Sequence, residues 1–117
     1  MMRKALMLLA ALLNGNAADL WTTRVPAKTA SLTNPYSGQD GAVMAGAKLY
    51  GLHCAPCHGR DRIGSSHVPA ITAEKTAGFT EGELFWVLTN GRLKDGMPSW
   101  SHLPPQQRWQ IIAFLRQ

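Results

Sequence analysis

Cys54-Ala55-Pro56-Cys57-His58 is the stretch from which the rest of this 117-residue chain is read. Its spacing is C-x-x-C-H, the attachment signature for a c-type haem. Two thiols three positions apart can each form a thioether with one vinyl group of a single porphyrin. The next side chain, His58, is then pinned beneath the iron as the proximal nitrogen ligand. Other readings of the cysteine pair fit less well. A thioredoxin-like redox pair expects a surrounding βαβ pattern, which this chain lacks. Zinc asks for four N/S ligands, yet the chain has 2 cysteines and His53, His67 and His102 are scattered. A disulfide across two residues closes too small a loop to stabilise much.

The amino terminus carries Arg3 and Lys4, then the unbroken apolar run Ala5 to Leu13, then the small polar stretch Asn14 to Ala18. This is the order of a secretory signal peptide, with cleavage expected after Ala17 and after Ala18 as the alternative. The run is too short to span a bilayer, which needs about 20 apolar residues. The expectation is an exported, soluble chain with a signal peptide at 1–17, no stable membrane insertion after cleavage, and a periplasmic location. Export would also suggest a disulfide for two cysteines, but the His that follows them and a later Met make haem the stronger account.

The whole chain has 12 Lys+Arg against 7 Asp+Glu. Without Arg3 and Lys4 the count is ten against seven, and two haem propionates would offset most of that excess. Nucleic acid is therefore not an expected partner. Arg60, Arg62, Lys75, Arg92 and Lys94 flank the expected haem segments. They read either as a docking ring for an acidic partner or, the favoured reading, as a solvated surface.

Residues 18–40 contain Pro26, Pro35 and Gly38 and no helical or strand period, so they read as an extended leader or linker; Trp21 and Tyr36 could pin it to the domain. A single domain is expected at 41–117. Ala42 to His53 reads as a helix with Asp40 as its N-cap. Gly46 and Tyr50 share one face of it, and Gly46 marks either a close helix–helix approach or a tolerated surface glycine. Residues 59–78 read as a 20-residue loop, unusual in a compact domain unless it wraps a large apolar disc. Pro69 stands where its carbonyl could accept the Nδ1–H of His58. Thr80-Glu81-Gly82-Glu83 is a capping box, with Phe79 and Leu84 as its staple. That helix ends at Asn90-Gly91. Pro104 or Pro105 opens the last helix, whose apolar stripe is Trp109, Ile112 and Leu115, with Ile111 and Phe114 beside it.

The sixth iron ligand should be a Met or His on the face opposite His58. Beyond the signal only Met44 and Met97 remain. Met97 stands between Gly96, which permits close backbone approach, and Pro98, which stiffens the turn. It is the expected ligand, with His102 as the fallback.

With these residues in place, the chain resembles the class I cytochrome c family, specifically its small bacterial single-haem members, over roughly 41–116. The resemblance implies an all-α fold of three to four helices wrapped around one covalently attached haem c. It also implies that the first and last helices cross through a glycine and an aromatic, pairing Gly46 and Tyr50 with Ile111 and Phe114. Gly-Glu-Leu-Phe-Trp-Val-Leu-Thr-Asn-Gly, Gly-Met-Pro-Ser-Trp and Gln-Gln-Arg-Trp-Gln-Ile-Ile-Ala-Phe-Leu look like cytochromes associated with PQQ-dependent (quinoprotein) sugar or alcohol dehydrogenases. The expected function is a monomeric one-electron carrier and no enzyme. Cys54 and Cys57 would hold the haem, and His58 and Met97 the iron. A donor dehydrogenase and an acceptor such as a terminal oxidase would dock transiently. The alternative is a haem peroxidase or ligand sensor in which Met97 is displaceable.

Overall fold

The computed structural model describes residues 21–117, so the expected signal peptide at 1–17 lies outside the described residues. A 3-10 turn at Trp21–Arg24 and a one-turn helix α1 (Ala27–Ala30) lead into the long helix α2 (Asp40–His53). Then follow the one-turn helices α3 (Ala55–His58) and α4 (Ala73–Thr76), α5 (Glu81–Asn90), a 3-10 turn at Leu93–Asp95 and α6 (Pro105–Leu115). The described residues form no strand; an isolated antiparallel bridge joins Arg92 and Met97.

The helix boundaries follow local chemistry. Thr80 accepts from the Glu83 amide at 3.0 Å while the Glu83 carboxylate accepts from the Thr80 amide at 2.8 Å, closing the capping box expected for α5. Gly91, at φ 68°, ends that helix. Pro105 is the first residue of α6. At α2 the boundary differs from expectation by one position. Gln39 is the N-cap, and Asp40 is the first helical residue, where its carboxylate still favours the helix dipole.

α2 and α6 cross at Gly46. A Cβ there would run into the backbone carbonyl of Gln110, so the glycine is what lets the two backbones meet. Tyr50 packs its ring 5.2 Å from that of Phe114, and Ile111 is fully buried beside it. The whole stripe Trp109, Ile112 and Leu115 is buried, as expected. Arg108 is buried with it, its guanidinium lying 4.7 Å from the Phe85 ring and donating to the Leu103 carbonyl and the Thr89 hydroxyl. Burial lowers its pKa from the ordinary arginine value.

Two segments read as loop or leader are more organised than expected. Residues 59–78 contain α4, whose N-cap Thr72 accepts from the Lys75 amide. They are also stitched to the end of α6. Arg62 donates to the Leu115 and Gln117 carbonyls, Thr76 Oγ1 donates to Leu115, and Arg116 donates to the Thr76 and Phe79 carbonyls. The described part of the leader is seated on α5 and α6. The Thr80 hydroxyl donates to Ala30 at 2.7 Å and the buried Asn34 amide donates to Trp109 at 2.8 Å. Gly82 admits the Thr29 carbonyl where a Cβ would otherwise stand. The absent periodicity was a property of short turns, and the segment is a docked strap.

Candidate haem site

Cys54 and His58 bracket the one-turn helix α3, which places Cys57 and His58 directly after the α2 that carries Tyr50 and His53. Cys54 is buried and Cys57 is exposed. Burial pushes the Cys54 thiol up to about 12, with the neighbouring Cys57 charge adding to the effect. The Tyr50 hydroxyl donates to the Gly59 carbonyl at 2.6 Å, tying the end of the motif back to α2.

His58 Nδ1 lies 2.9 Å from the Pro69 carbonyl oxygen. A carbonyl only accepts, so Nδ1 carries the proton and Nε2 is the nitrogen left to ligate. This is the bond that the position of Pro69 suggested. Gly64 donates to the His58 carbonyl at 2.8 Å, and Ile71 donates to Arg62 at 2.8 Å, so the loop bearing Pro69 is itself held.

Met97 is reached from the other side of the sequence. The Arg92 amide donates to the Met97 carbonyl at 2.8 Å and the Met97 amide donates to the Arg92 carbonyl at 3.0 Å. Between them Gly96 takes φ 87° and Arg92 pairs with Asp95 at 2.6 Å. Beyond Met97, the Ser99 hydroxyl donates to Thr89 and the Trp100 amide to Leu88, clamping the segment to α5. Gly91 leaves room for the Pro98 backbone.

These pieces enclose one cavity of about 870 Å³, within the range of ligand and cofactor sites. Cys54, Cys57, His58 and Met97 all line it. Its walls are largely apolar: Val68, Pro69 and Ile71 from the loop, Leu84, Val87 and Leu88 from α5, and Ile111 and Leu115 from α6. Met44 is 67% exposed on the outside of α2, and His102 is exposed beside Trp100, so neither belongs to the lining. Two thiols, an imidazole with one nitrogen free, and a thioether in an apolar chamber make a donor set that fits a covalently attached haem.

Sequence reasoning missed three contributors. Trp21, from the leader, lines the cavity. His53 does so too, its ring 5.1 Å from that of Trp100. The Arg92–Met97 bridge left no mark in the sequence, since any two residues can exchange backbone hydrogen bonds. The flanking cations divide. Arg62 is an internal staple that lies 4.9 Å from the Phe114 ring, and Arg92 is paired, whereas Arg60, Lys75 and Lys94 are exposed. Among the described residues no helix is long and apolar enough to cross a membrane.

Comparison with known proteins gives the family of the chain. Quinohemoprotein alcohol dehydrogenase ADH-IIG of Pseudomonas putida is 35% identical over 83 residues, which is 68% of this chain and 11% of that protein. Quinohemoprotein alcohol dehydrogenase ADH IIB of the same organism is 32% identical over 92 residues, 77% of this chain and 13% of that protein. The chain thus spans only a small part of the length of these relatives. The family model described as cytochrome c oxidase, cbb3-type, subunit III matches residues 41–115. The chain therefore belongs to that cytochrome c family, with its all-α fold, its covalently bound haem c and its part in electron transfer.

Proposed function

We propose that this chain is a periplasmic single-haem carrier of electrons between a dehydrogenase and a terminal oxidase or similar acceptor. In this reading Cys54 and Cys57 would bear the two thioethers, and His58 and Met97 would hold the iron. The observation that carries it is the meeting of His58 and Met97 in one apolar cavity, each steadied by backbone hydrogen bonds. When bound, the haem supplies the one-electron ferrous–ferric change.

The chain's own residues make that change easy to reverse. Pro69 holds the His58 ring in one tautomer and orientation, which makes the imidazole a stronger donor. The Arg92 bridge keeps Met97 in place, which favours a closed iron over the peroxidase or sensor reading with a displaceable Met97. A His/Met donor pair would raise the potential relative to His/His, suiting acceptance from a dehydrogenase. Exposed Cys57 marks the edge where electrons would enter and leave, through a small transient contact of a monomer with its partners. The two quinohemoprotein relatives support a quinoprotein dehydrogenase as donor. The charged start and apolar run of residues 1–17 support export.

Met97→Ala tests the ligand. Its midpoint potential should fall and its ferric form should bind cyanide rapidly; an unchanged potential would remove Met97 from the iron. Stopped-flow reduction by a quinoprotein alcohol dehydrogenase tests the donor. No reduction on the timescale of turnover would dismiss that donor while leaving haem carriage intact.

A further inference from the structure

Trp21 stands outside the residues matched by the family model, which begin at 41, yet it is 8% exposed and lines the same cavity as Cys54, His58 and Met97. Its ring stacks on Trp86 at 11° with centroids 6.3 Å apart, and is tilted against Phe79 at 5.1 Å. Thr23 and Arg24, in the same turn, are exposed, so the indole is the part of that turn directed inward. The chain behind it is fastened at successive points. Val25 is buried, the Thr29 carbonyl sits against Gly82, Ala30 accepts from Thr80, and Asn34 bonds to Glu81 and Trp109.

We propose that Trp21 is a positioning residue for the haem: the strap 21–34 carries its indole across the cavity at Phe79 and Trp86, completing a wall that the matched domain leaves open. The inference rests on the haem occupying this cavity. An apolar wall keeps water from the iron's surroundings, and water stabilises the more highly charged ferric state. Removing the indole while leaving the ligands in place therefore lowers the reduction potential. A surface pin would change only the melting temperature.

The test uses the haem-loaded protein and three variants, with potentials measured well below the melting transition. Trp21→Ala should shift the midpoint potential negative, and Trp21→Phe should recover most of that shift. Gly82→Ala reaches the strap from beneath, because its Cβ meets the Thr29 backbone. Alanine is otherwise the better helix former, so unseating the strap is the expected result, with a negative shift of the same sign. A wild-type potential in Trp21→Ala, or in Gly82→Ala should Trp21→Ala fail to retain haem, overturns the proposal. A pyridine haemochrome spectrum separates the two levels. Wild-type protein without thioether-linked haem refutes the cavity reading itself, whereas loaded variants with unmoved potentials refute only the role of Trp21.

Discussion

Asn34→Ala is the sharpest probe of how the strap is held. Asn34 is 5% exposed; its amide donates to the Trp109 carbonyl at 2.8 Å, and its side-chain oxygen accepts from the Tyr36 amide at 2.9 Å. Each such bond contributes about 1 kcal/mol net, so the substitution should cost about 2 kcal/mol. For a domain of this size that corresponds to a fall of about 8–16 °C in melting temperature if strap and core unfold together. Should the strap open on its own, the same loss appears in hydrogen exchange instead. The Ala30 and Ser31 amides, bonded to Pro26 and Ala27, would then exchange about thirtyfold faster, since 1.4 kcal/mol is a factor of ten. Circular dichroism on the haem-loaded protein and exchange followed by NMR measure the two routes. A melting temperature within about 2 °C of wild type, together with unchanged exchange, would refute seating through Asn34.

Three further outcomes are expected. Gly46→Val forces a branched side chain into the Gln110 carbonyl and should cost about 3 kcal/mol. Gly51→Ala on the same helix meets nothing and should stabilise by about 0.5–1 kcal/mol, and urea unfolding of both separates crossing from propensity. Burial pushes the Tyr50 hydroxyl from 10.0 up to about 12. The folded chain thus holds this proton more tightly than the unfolded one. The contribution is complete below pH 10 and is lost as pH rises through 12, up to roughly 2–3 kcal/mol in total. Urea midpoints at pH 9 and 11 should show this alkaline loss in wild type and a smaller one in Tyr50→Phe.

What was legible in the sequence was chemistry with fixed spacing. The capping box at Thr80, the stop at Gly91 and the Pro105 start depend on contacts three or four residues long, so residue type alone reveals them. Gly46 was legible as a choice between crossing and surface, and only the Gln110 backbone decides it. What escaped depends on long-range backbone partners. The carbonyls of Ala30, Trp109 and Leu115 belong to any sequence, so their bonds to Thr80, Asn34 and Arg62 leave no pattern. Arg62 and Arg108 escaped for a related reason. A cation is ordinarily solvated, and these two replace water with carbonyls and aromatic faces. The loop at 59–78 was expected to wrap the haem and pack against it. The stitches to α6 supply part of its support without the haem.

Those stitches give residues 115–117 an importance out of proportion to their number. Gln117 and Leu115 offer the carbonyls that hold Arg62, and the Arg116 side chain holds the carbonyls of Thr76 and Phe79. Replacing Arg62 and Arg116 with alanine would cut these ties and leave Ile112, the most deeply buried residue of α6, in place. The wall bearing Pro69 would come loose while the helix crossing at Gly46 still stood. Control over the haem's surroundings would then be lost through two side chains, in a protein that still looked folded.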